Sequence, residues 1–259
     1  MSQSSAEADV VLQLRAAGCV FAEDEARILI SEATSPGALV EMVERRVAGV
    51  PLEHIVGWAE FFGMRVAVDP RVFVPRQRTA FLVEQALALA PSLGAVVIDM
   101  CCGCGAIGAA LIAHLDSAGV HATDVDPAAV ANARRNLGAG GHVYVGDLFE
   151  PLPPALRGSV DLIVANAPYV PTDAIDLMPS EARLHEARVA LDGGADGLDI
   201  QRRIAAEAPG WLAPGGHLLI ETSDQQAAHT AAAFEEHGLI TQTARSDERD
   251  ATVVVGRRP

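Results

Sequence analysis

The tetrapeptide Asn166-Ala167-Pro168-Tyr169 ends an apolar run that is expected to be a buried strand. Transfer of a methyl group to an amide nitrogen requires two acceptors for its N–H bonds, so that the lone pair faces the donor. The Asn166 side-chain oxygen supplies one acceptor, and the carbonyl of Ala167 supplies the other because Pro168 favours an extended residue before it. The ring of Tyr169 offers a flat surface against which a planar substrate group can pack. The same four residues also suit an ordinary strand end with a turn.

A second group of residues forms a glycine-rich turn in "DMCCGCGAIGAAL", between an expected strand and an expected helix. Asp99 stands at the strand end, and the turn runs from Cys101 to Gly105. Small residues let a ligand approach the backbone, and the first helical turn offers free N–H groups. Such turns also arise by chance in α/β proteins, so the position between strand and helix makes this one a candidate ligand site.

Acidic residues end the next two expected strands. Asp124, followed by Val125, lies roughly 20 residues beyond the turn, where a carboxylate can accept the hydroxyl protons of a ribose. Asp147 can accept from an adenine amino group, with Leu148 or Phe149 covering the ring, although the same residues fit a surface turn. The two acceptors together predict an adenosine-containing ligand, either a dinucleotide or S-adenosylmethionine.

Three of the four cysteines lie in the glycine-rich turn, which raises the question of a metal. Cys101, Cys102 and Cys104 occupy one tight turn and cannot readily converge on a tetrahedral ion, and Cys19 is distant in sequence. We therefore predict no metal site. The cysteines are not spaced like a disulfide framework, and the N-terminus has no signal-peptide pattern, so we expect a cytoplasmic protein.

The composition argues against several classes of function. Nineteen basic and 34 acidic residues give a formal charge of −15, which repels phosphate backbones, so free nucleic acid is not an expected partner. Every basic residue is arginine, which excludes lysine Schiff bases and a phosphate-binding lysine. No apolar run approaches the roughly 20 residues that cross a bilayer, so no membrane role is expected.

We expect three segments to position these residues. Residues 1–52 show apolar residues at helical spacing and predict about three short helices. Residues 53–77 alternate like two short strands around a turn near Gly63 and predict a β-hairpin linker. Residues 78–259 alternate short apolar strands with helices, which predicts an α/β fold with a doubly wound, mostly parallel sheet.

The last two expected strands, "GLITQTA" and "ATVVVGRR", are separated only by the polar "RSDERD". They predict an antiparallel pair at the sheet edge. An antiparallel last strand is typical of class I methyltransferases, whereas a nicotinamide-binding sheet normally continues in parallel units. The ending of the sheet therefore favours S-adenosylmethionine over a dinucleotide.

From about Pro51 to its end, the chain resembles the HemK/PrmC family of protein-glutamine amide N-methyltransferases. The stretch "GVPLEHIVGWAEFFGMRVAVDPRVFVPR" is similar to the family's linker and hairpin, "VIDMCCGCGAIGAAL" to its cofactor loop, and "VDLIVANAPYVP" to its Asn-Pro-Pro-Tyr segment. The stretch "EARLHEARVALDGGADGLDIQRRI" resembles the family's insert before the fifth strand. Methyltransferases acting on adenine in DNA share the Asn-Pro-Pro-Tyr pattern but are not expected to share this insert.

The resemblance implies methylation, dependent on S-adenosylmethionine, of a glutamine side chain exposed on a release factor-like or ribosomal protein. It implies that the tetrapeptide holds the glutamine, so that the substrate-holding residues are Asn166, Ala167, Pro168 and Tyr169. With the strand-end residues above, the expected cofactor-binding residues are Asp99, Cys101, Cys102, Gly103, Cys104, Gly105, Asp124, Val125, Asp147, Leu148 and Asn166.

The insert carries residues of two kinds. Gly193, Gly194 and Gly197 are expected to shape it without chemistry of their own. Glu181, Arg183 and Glu186 can contact the substrate backbone or belong to a solvated loop.

The chain departs from the family at three places. Ala167 replaces the first proline of the tetrapeptide, Cys101 replaces the first glycine of the turn, and the N-terminal helical segment is short. The short segment leaves room for methylation of a small-molecule amide or amine. Methylation of a nucleic-acid amino group and a non-catalytic adenosine-binding module are further alternatives.

Overall fold

The computed structural model describes residues 3–259. Four helices come first: three lie within residues 1–52, and the fourth occupies the start of the segment in which only a hairpin was expected. Their apolar sides form a small core of their own around Leu14, Leu29 and Val43. Ser35 caps the third helix by accepting a hydrogen bond from the Ala38 N–H at 3.1 Å. The helices are α1 (Gln3–Ala16), α2 (Ala22–Glu32), α3 (Pro36–Val47) and α4 (Leu52–Val56).

The expected hairpin consists of β1 (Trp58–Phe61) and β2 (Met64–Ala67), which pair in antiparallel fashion. Both turn residues have positive φ, 49° at Phe62 and 73° at Gly63, as a two-residue hairpin turn requires. Asn132 ties the hairpin to the main domain because its side chain donates to the Ala67 carbonyl at 2.7 Å and accepts from the Asp69 N–H at 2.7 Å.

The main domain contains a seven-stranded sheet in the order β5-β4-β3-β6-β7-β9-β8. Only β9 runs antiparallel to its neighbours, so the prediction of a mostly parallel sheet with an antiparallel last strand is confirmed. The strands are β3 (Val96–Met100), β4 (Gly119–Asp124), β5 (Gly141–Val145), β6 (Val160–Ala165), β7 (Leu212–Thr222), β8 (Ile240–Ser246) and β9 (Ala251–Arg257).

The final two strands form an antiparallel pair at one sheet edge, as predicted, with β8 outermost. The last strand, β9, lies between β7 and β8. Its first six residues are all buried, whereas exposed residues recur along β8. A strand that is apolar on both faces needs neighbours on both sides, and the more polar strand tolerates the edge.

Helices cover both faces of the sheet and form two apolar clusters. Residues of α5, α6 and α7 pack with Val97, Val120 and Leu162 on one face. Residues of α9 and α10 pack with Ile98 and Ile163 on the other. The helices are α5 (Ala80–Leu89), α6 (Ala106–His114), α7 (Pro127–Leu137), α8 (Ser180–His185), α9 (Asp199–Trp211) and α10 (Ala227–Glu236).

The strand order places a switch point between β3 and β6. The chain proceeds outward from β3 to β4 and β5 and then returns to β6 on the other side of β3. Ligands of open α/β sheets bind at such a point, outside the carboxyl ends of the strands. Among the residues that the structure describes, no helix is both long enough and apolar enough to span a membrane.

Candidate active site

A cavity lies at the carboxyl ends of β3, β4 and β6, beside the switch point. The fold brings residues of four separate strand ends together in its wall. Apolar walls come from Met100, Ile107 and Ile200. The predicted site residues that line it are Cys101, Cys102, Gly103, Cys104, Asp124, Val125, Asp147, Leu148, Asn166, Ala167, Pro168 and Tyr169.

The glycine-rich turn has the left-handed backbone that glycine favours. Gly103 has φ of +54°, and a side chain added there would meet nothing within 4 Å, so the turn leaves open space. The Gly103 N–H donates to Asp124 Oδ2 at 2.9 Å, which joins the turn to the end of β4. Cys101 is also left-handed, with φ of +55°, a conformation that strains a residue with a side chain.

Gly105 and Asp99, two of the predicted cofactor residues, do not line the cavity. A Cβ on Gly105 would lie 2.6 Å from Leu137 Cδ1, so glycine is needed there for α6 to pack against α7. Asp99 is fully buried, and its Oδ2 accepts from the Gly108 N–H at 2.8 Å. Burial raises the pKa of Asp99 to about 8. Both residues therefore stabilise the local structure of the turn and do not face the cavity.

Asp124 is held in place by its own loop. Its Oδ2 accepts from Gly103, and its Oδ1 accepts from the Asp126 N–H at 2.9 Å. Burial raises the pKa of Asp124, and the backbone donors of Asp126 and Gly103 counteract that rise. Each carboxylate oxygen keeps a second lone pair, so the group can still accept from ligand hydroxyls. Asp126 separately caps α7 by accepting from the Ala128 N–H at 2.8 Å.

Leu148 and Phe149, either of which was expected to cover an adenine ring, lie in different surroundings after β5. Leu148 lines the cavity, whereas Phe149 stacks on Trp211 at 5.4 Å between ring centroids and belongs to the core. Asp147 is exposed, and its Oδ2 accepts from Arg203 Nη2 at 2.6 Å. Its Oδ1 is the oxygen that remains for a ligand.

The tetrapeptide after β6 is held by side chains from outside it. Asn166 Nδ2 donates to Thr79 Oγ1 at 3.2 Å. The Tyr169 phenol oxygen forms a hydrogen bond with Arg78 Nη2. Ala167 is 1% exposed, so its side chain packs in the core while the segment passes along the cavity wall.

The insert packs directly against the backbone of the tetrapeptide. A Cβ on Gly197 would lie 2.2 Å from the Tyr169 carbonyl oxygen, and one on Gly193 would lie 2.8 Å from the Pro168 carbonyl oxygen. Gln226 Nε2 also donates to the Tyr169 carbonyl at 3.0 Å. The glycines therefore allow the insert to approach and buttress the segment that carries Asn166.

Two acidic residues of the insert form ion pairs within the molecule. Glu186 is 7% exposed and accepts from the Val74 N–H at 3.1 Å and from Arg76 at 2.7 Å. Glu181 accepts from Arg46 Nη1 at 2.6 Å, which links α3 to the insert. Both residues hold the insert in place.

Three residues near the tetrapeptide were not identified from the sequence. Arg78 and Thr79 immediately precede α5, and Glu221 lies at the carboxyl end of β7. Arg78 Nε donates to Glu221 Oε1 at 3.3 Å. The rule that strand ends carry the chemistry, applied also to the fifth parallel strand, would have found Glu221. The segment around Arg78 and Thr79 offers no comparable local signal.

The residues around the cavity fit an adenosine-containing ligand. The turn at Gly103 leaves open space, Asp124 presents carboxylate lone pairs, and Leu148 with Ile107 offers apolar surface. Such a combination suits a ribose and an aromatic base.

Comparison with known proteins shows which methyltransferases this chain resembles. The model of the family described as "Methyltransferase small domain" matches residues 76–196. A release factor glutamine methyltransferase of Geobacter sulfurreducens is 40% identical over 220 residues, covering 84% of this chain and 76% of that protein. A ribosomal protein uL3 glutamine methyltransferase of Bordetella pertussis is 37% identical over 234 residues, covering 87% and 76%.

A relative that is named for a different activity is also similar. A 4-amino-L-phenylalanine/4-methylamino-L-phenylalanine methyltransferase of Streptomyces pristinaespiralis is 36% identical over 203 residues, covering 76% of this chain and 69% of that protein. Among solved structures, a methyltransferase from Pyrococcus furiosus aligns with a TM-score of 0.58 at 18% identity, covering 76% of this chain and 90% of that one. The structural match supports the fold, and the sequence matches extend over most of the chain. The chain belongs to the HemK/PrmC family of protein-glutamine N-methyltransferases.

Proposed function

We propose that this protein methylates the side-chain amide nitrogen of a glutamine exposed on a release factor-like or ribosomal protein, with S-adenosylmethionine as the methyl donor. The observation that carries the proposal is the setting of Asn166. Its nitrogen is bonded to Thr79, and its side chain lines the same cavity as the glycine-rich turn and Asp124. Relatives that are named for glutamine methylation support the same reading.

The cofactor would be held by the strand ends. Asp124 would accept from the ribose hydroxyls, Leu148 would pack against the adenine, and Asp147 Oδ1 would accept from the adenine amino group. When bound, S-adenosylmethionine supplies an electrophilic methyl group on a positively charged sulfur. Gly103 and the neighbouring turn would admit the ligand to the backbone.

The chain's own contribution is to orient a weak nucleophile. An amide nitrogen shares its lone pair with the carbonyl, so it attacks only when the lone pair is directed at the methyl group. Asn166 Oδ1 and the Ala167 carbonyl would accept the two N–H bonds, and Tyr169 would limit rotation of the carboxamide plane. Such positioning contributes at most about 7–11 kcal/mol in well-oriented reactions. The product proton can leave afterwards, so no dedicated base is required.

The proposed partner is a folded protein that presents one glutamine to the cavity. The helical residues 1–52 and the hairpin of residues 53–77 lie before the methyltransferase segment, residues 78–259, and we assign substrate recognition to the helical segment. A substrate from the translation machinery would place the reaction in the cytoplasm.

The test is to incubate the purified chain with S-adenosylmethionine and candidate release factors or ribosomal proteins, and to locate added methyl groups by mass spectrometry. We expect one methyl group on one glutamine. Asn166→Ala should reduce turnover by at least about a hundredfold, because an acceptor for the nucleophile is lost. Calorimetry should still detect cofactor binding to this variant. Near-normal turnover by Asn166→Ala would contradict the assigned role.

A small-molecule amine is the second candidate substrate, because one relative at 36% identity is named for 4-amino-L-phenylalanine. The same two acceptors could orient an aryl amine, whose –NH2 group also has two N–H bonds. Assays of free aromatic amines beside the protein substrates distinguish the candidates. Methylation of the amine with no product on any protein would favour the second.

A further inference from the structure

A buried polar network lies behind the tetrapeptide and reaches both of its ends. Thr79 and Glu221 are each 2% exposed. Thr79 Oγ1 accepts from Asn166 Nδ2 at 3.2 Å, and Arg78 bonds both Glu221, at 3.3 Å, and the Tyr169 phenol. Thr79 thus bonds the amide of Asn166, and the Glu221 carboxylate is connected through Arg78 to the phenol of Tyr169.

The network determines which atom of the Asn166 carboxamide is available to a substrate. The nitrogen and oxygen of a carboxamide have nearly the same shape, so hydrogen-bond partners decide its orientation. Thr79 Oγ1 accepts from Asn166 Nδ2 at 3.2 Å, so the –NH2 group lies on the Thr79 side of the carboxamide. Asn166 Oδ1 is therefore the atom that is left to accept from a substrate.

The opposite orientation of the carboxamide would defeat catalysis. The –NH2 group would then face the N–H donors of the substrate, and this side chain would present no acceptor to them. Within residues 3–259 no donor bonds Asn166 Oδ1, so that oxygen remains an acceptor at the cavity wall.

Glu221 forms an ion pair with Arg78 behind the tetrapeptide. The Glu221 side chain is 3% exposed, and a buried carboxylate needs a cationic or hydrogen-bonding partner to stay ionised. The Arg78 guanidinium, whose side chain is 42% exposed, supplies that charge and uses another nitrogen to hold Tyr169. The pair thus holds the Tyr169 phenol in position.

We propose that Thr79 is a positioning residue that holds the Asn166 carboxamide with its oxygen towards the substrate, and that the Glu221–Arg78 pair positions Tyr169. The proposal rests on the proposed function, because the acceptor role of Asn166 is part of it.

The experiment compares Thr79→Val, which keeps the shape but removes the hydroxyl, with Thr79→Ser, which keeps the hydroxyl. We expect Thr79→Val to lower kcat about ten- to a hundredfold, as loss of one oriented hydrogen bond does, with KM for the protein substrate little changed. Thr79→Ser should recover most of the wild-type kcat.

Thr230→Val is the matched control. Thr230 is 1% exposed and donates to Gln201 Oε1 at 2.7 Å, so this variant also loses a buried, bonded hydroxyl, but it lies outside the cavity wall. It should lose thermal stability while keeping kcat. An equal fall of kcat in both valine variants, or unchanged kcat in Thr79→Val, would overturn the proposal.

A second measurement needs no methyl acceptor. Nuclear magnetic resonance of the Asn166 side-chain amide, assigned by its absence in Asn166→Asp, reports the exchange of its protons with water. We expect faster exchange in Thr79→Val and near-wild-type exchange in Thr79→Ser. Unaltered exchange in Thr79→Val would refute the positioning role. If the wild type methylates no glutamine, the proposed function fails, and this measurement still decides the role of Thr79.

Discussion

The backbone conformation of Cys101 lowers the stability of the folded protein, because Cys101 has a side chain. With φ of +55° it occupies the left-handed region, where a residue with a Cβ is disfavoured by about 1–2 kcal/mol. Its side chain also lines the cavity. Burial and the nearby carboxylates of Asp124 and Asp99 raise the pKa of the thiol, so Cys101 remains a neutral, unreactive side chain near neutral pH.

Cys101→Gly should therefore raise the free energy of unfolding by up to about 1 kcal/mol, because glycine tolerates this angle. Urea denaturation measures the change. Cys102→Gly is the matched control, since Cys102 is 7% exposed and lies outside the left-handed region. That change should destabilise the protein by loss of packing and by added chain entropy. Stabilisation in both variants, or in neither, would contradict the role given to φ.

At the scale of elements, the site depends on how closely the insert approaches the end of β6. Val170 bonds the insert from both backbone atoms, since its N–H donates to the Leu191 carbonyl at 3.1 Å and its carbonyl accepts from the Gly193 N–H at 2.8 Å. Gly197 then lies against the Tyr169 carbonyl. The insert thus packs directly against the backbone of the tetrapeptide.

Gly197→Ala should lower both stability and turnover, because its Cβ would lie 2.2 Å from the Tyr169 carbonyl oxygen. Gly238→Ala provides the control for strain alone. Gly238 has φ of +79°, close to the +77° of Gly197, but nothing lies within 4 Å of its added Cβ. We expect each variant to lose about 1–2 kcal/mol from strain and Gly197→Ala to lose about 1–3 kcal/mol more from the clash. Equal losses, measured by urea denaturation, would argue against the close approach.

At the scale of the whole molecule, Arg46 joins the N-terminal helices to the catalytic part of the chain. It is 8% exposed and bonds Glu25 of α2 at 2.5 Å and Glu181 of α8 at 2.6 Å. It also donates to the Val50 carbonyl at 3.2 Å. The proposed substrate-recognition segment is therefore connected through one guanidinium to the insert beside the cavity.

Arg46→Met should lower the free energy of unfolding by about 3–5 kcal/mol, because it leaves the largely buried Glu25 without its counter-charge. Arg27→Met on α2 is the matched control, since its ion pair with Asp24 has side chains that are 65% and 62% exposed. The control should change stability by no more than about 1 kcal/mol. A similar loss in both variants, measured by urea denaturation, would show that the buried pair has no special role.

Much of this molecule is encoded in short stretches of sequence. Alternating apolar strands and helices predicted the sheet, and the turn after β3, Asp124 and the tetrapeptide at Asn166 were proposed as site residues because each follows a strand. These signals are local, since side-chain periodicity and turn chemistry depend on neighbours along the chain. The resemblance to the HemK/PrmC family strengthened the prediction of these site residues, and the sequence relatives confirm the family.

Other features depended on contacts between distant parts of the chain. Thr79 and Asn166 are 87 residues apart, and Arg78 and Glu221 are 143 residues apart, so no local pattern links them. The placement of β9 inside the sheet, the burial of Asp99 and the pairing of Glu186 with Arg76 are decided likewise by packing. The sequence by itself determined which residues stand at the strand ends. Only the tertiary structure decided which of them touch and what each carbonyl, amide and carboxylate has as a partner, because hydrogen bonds and burial depend on distance in space.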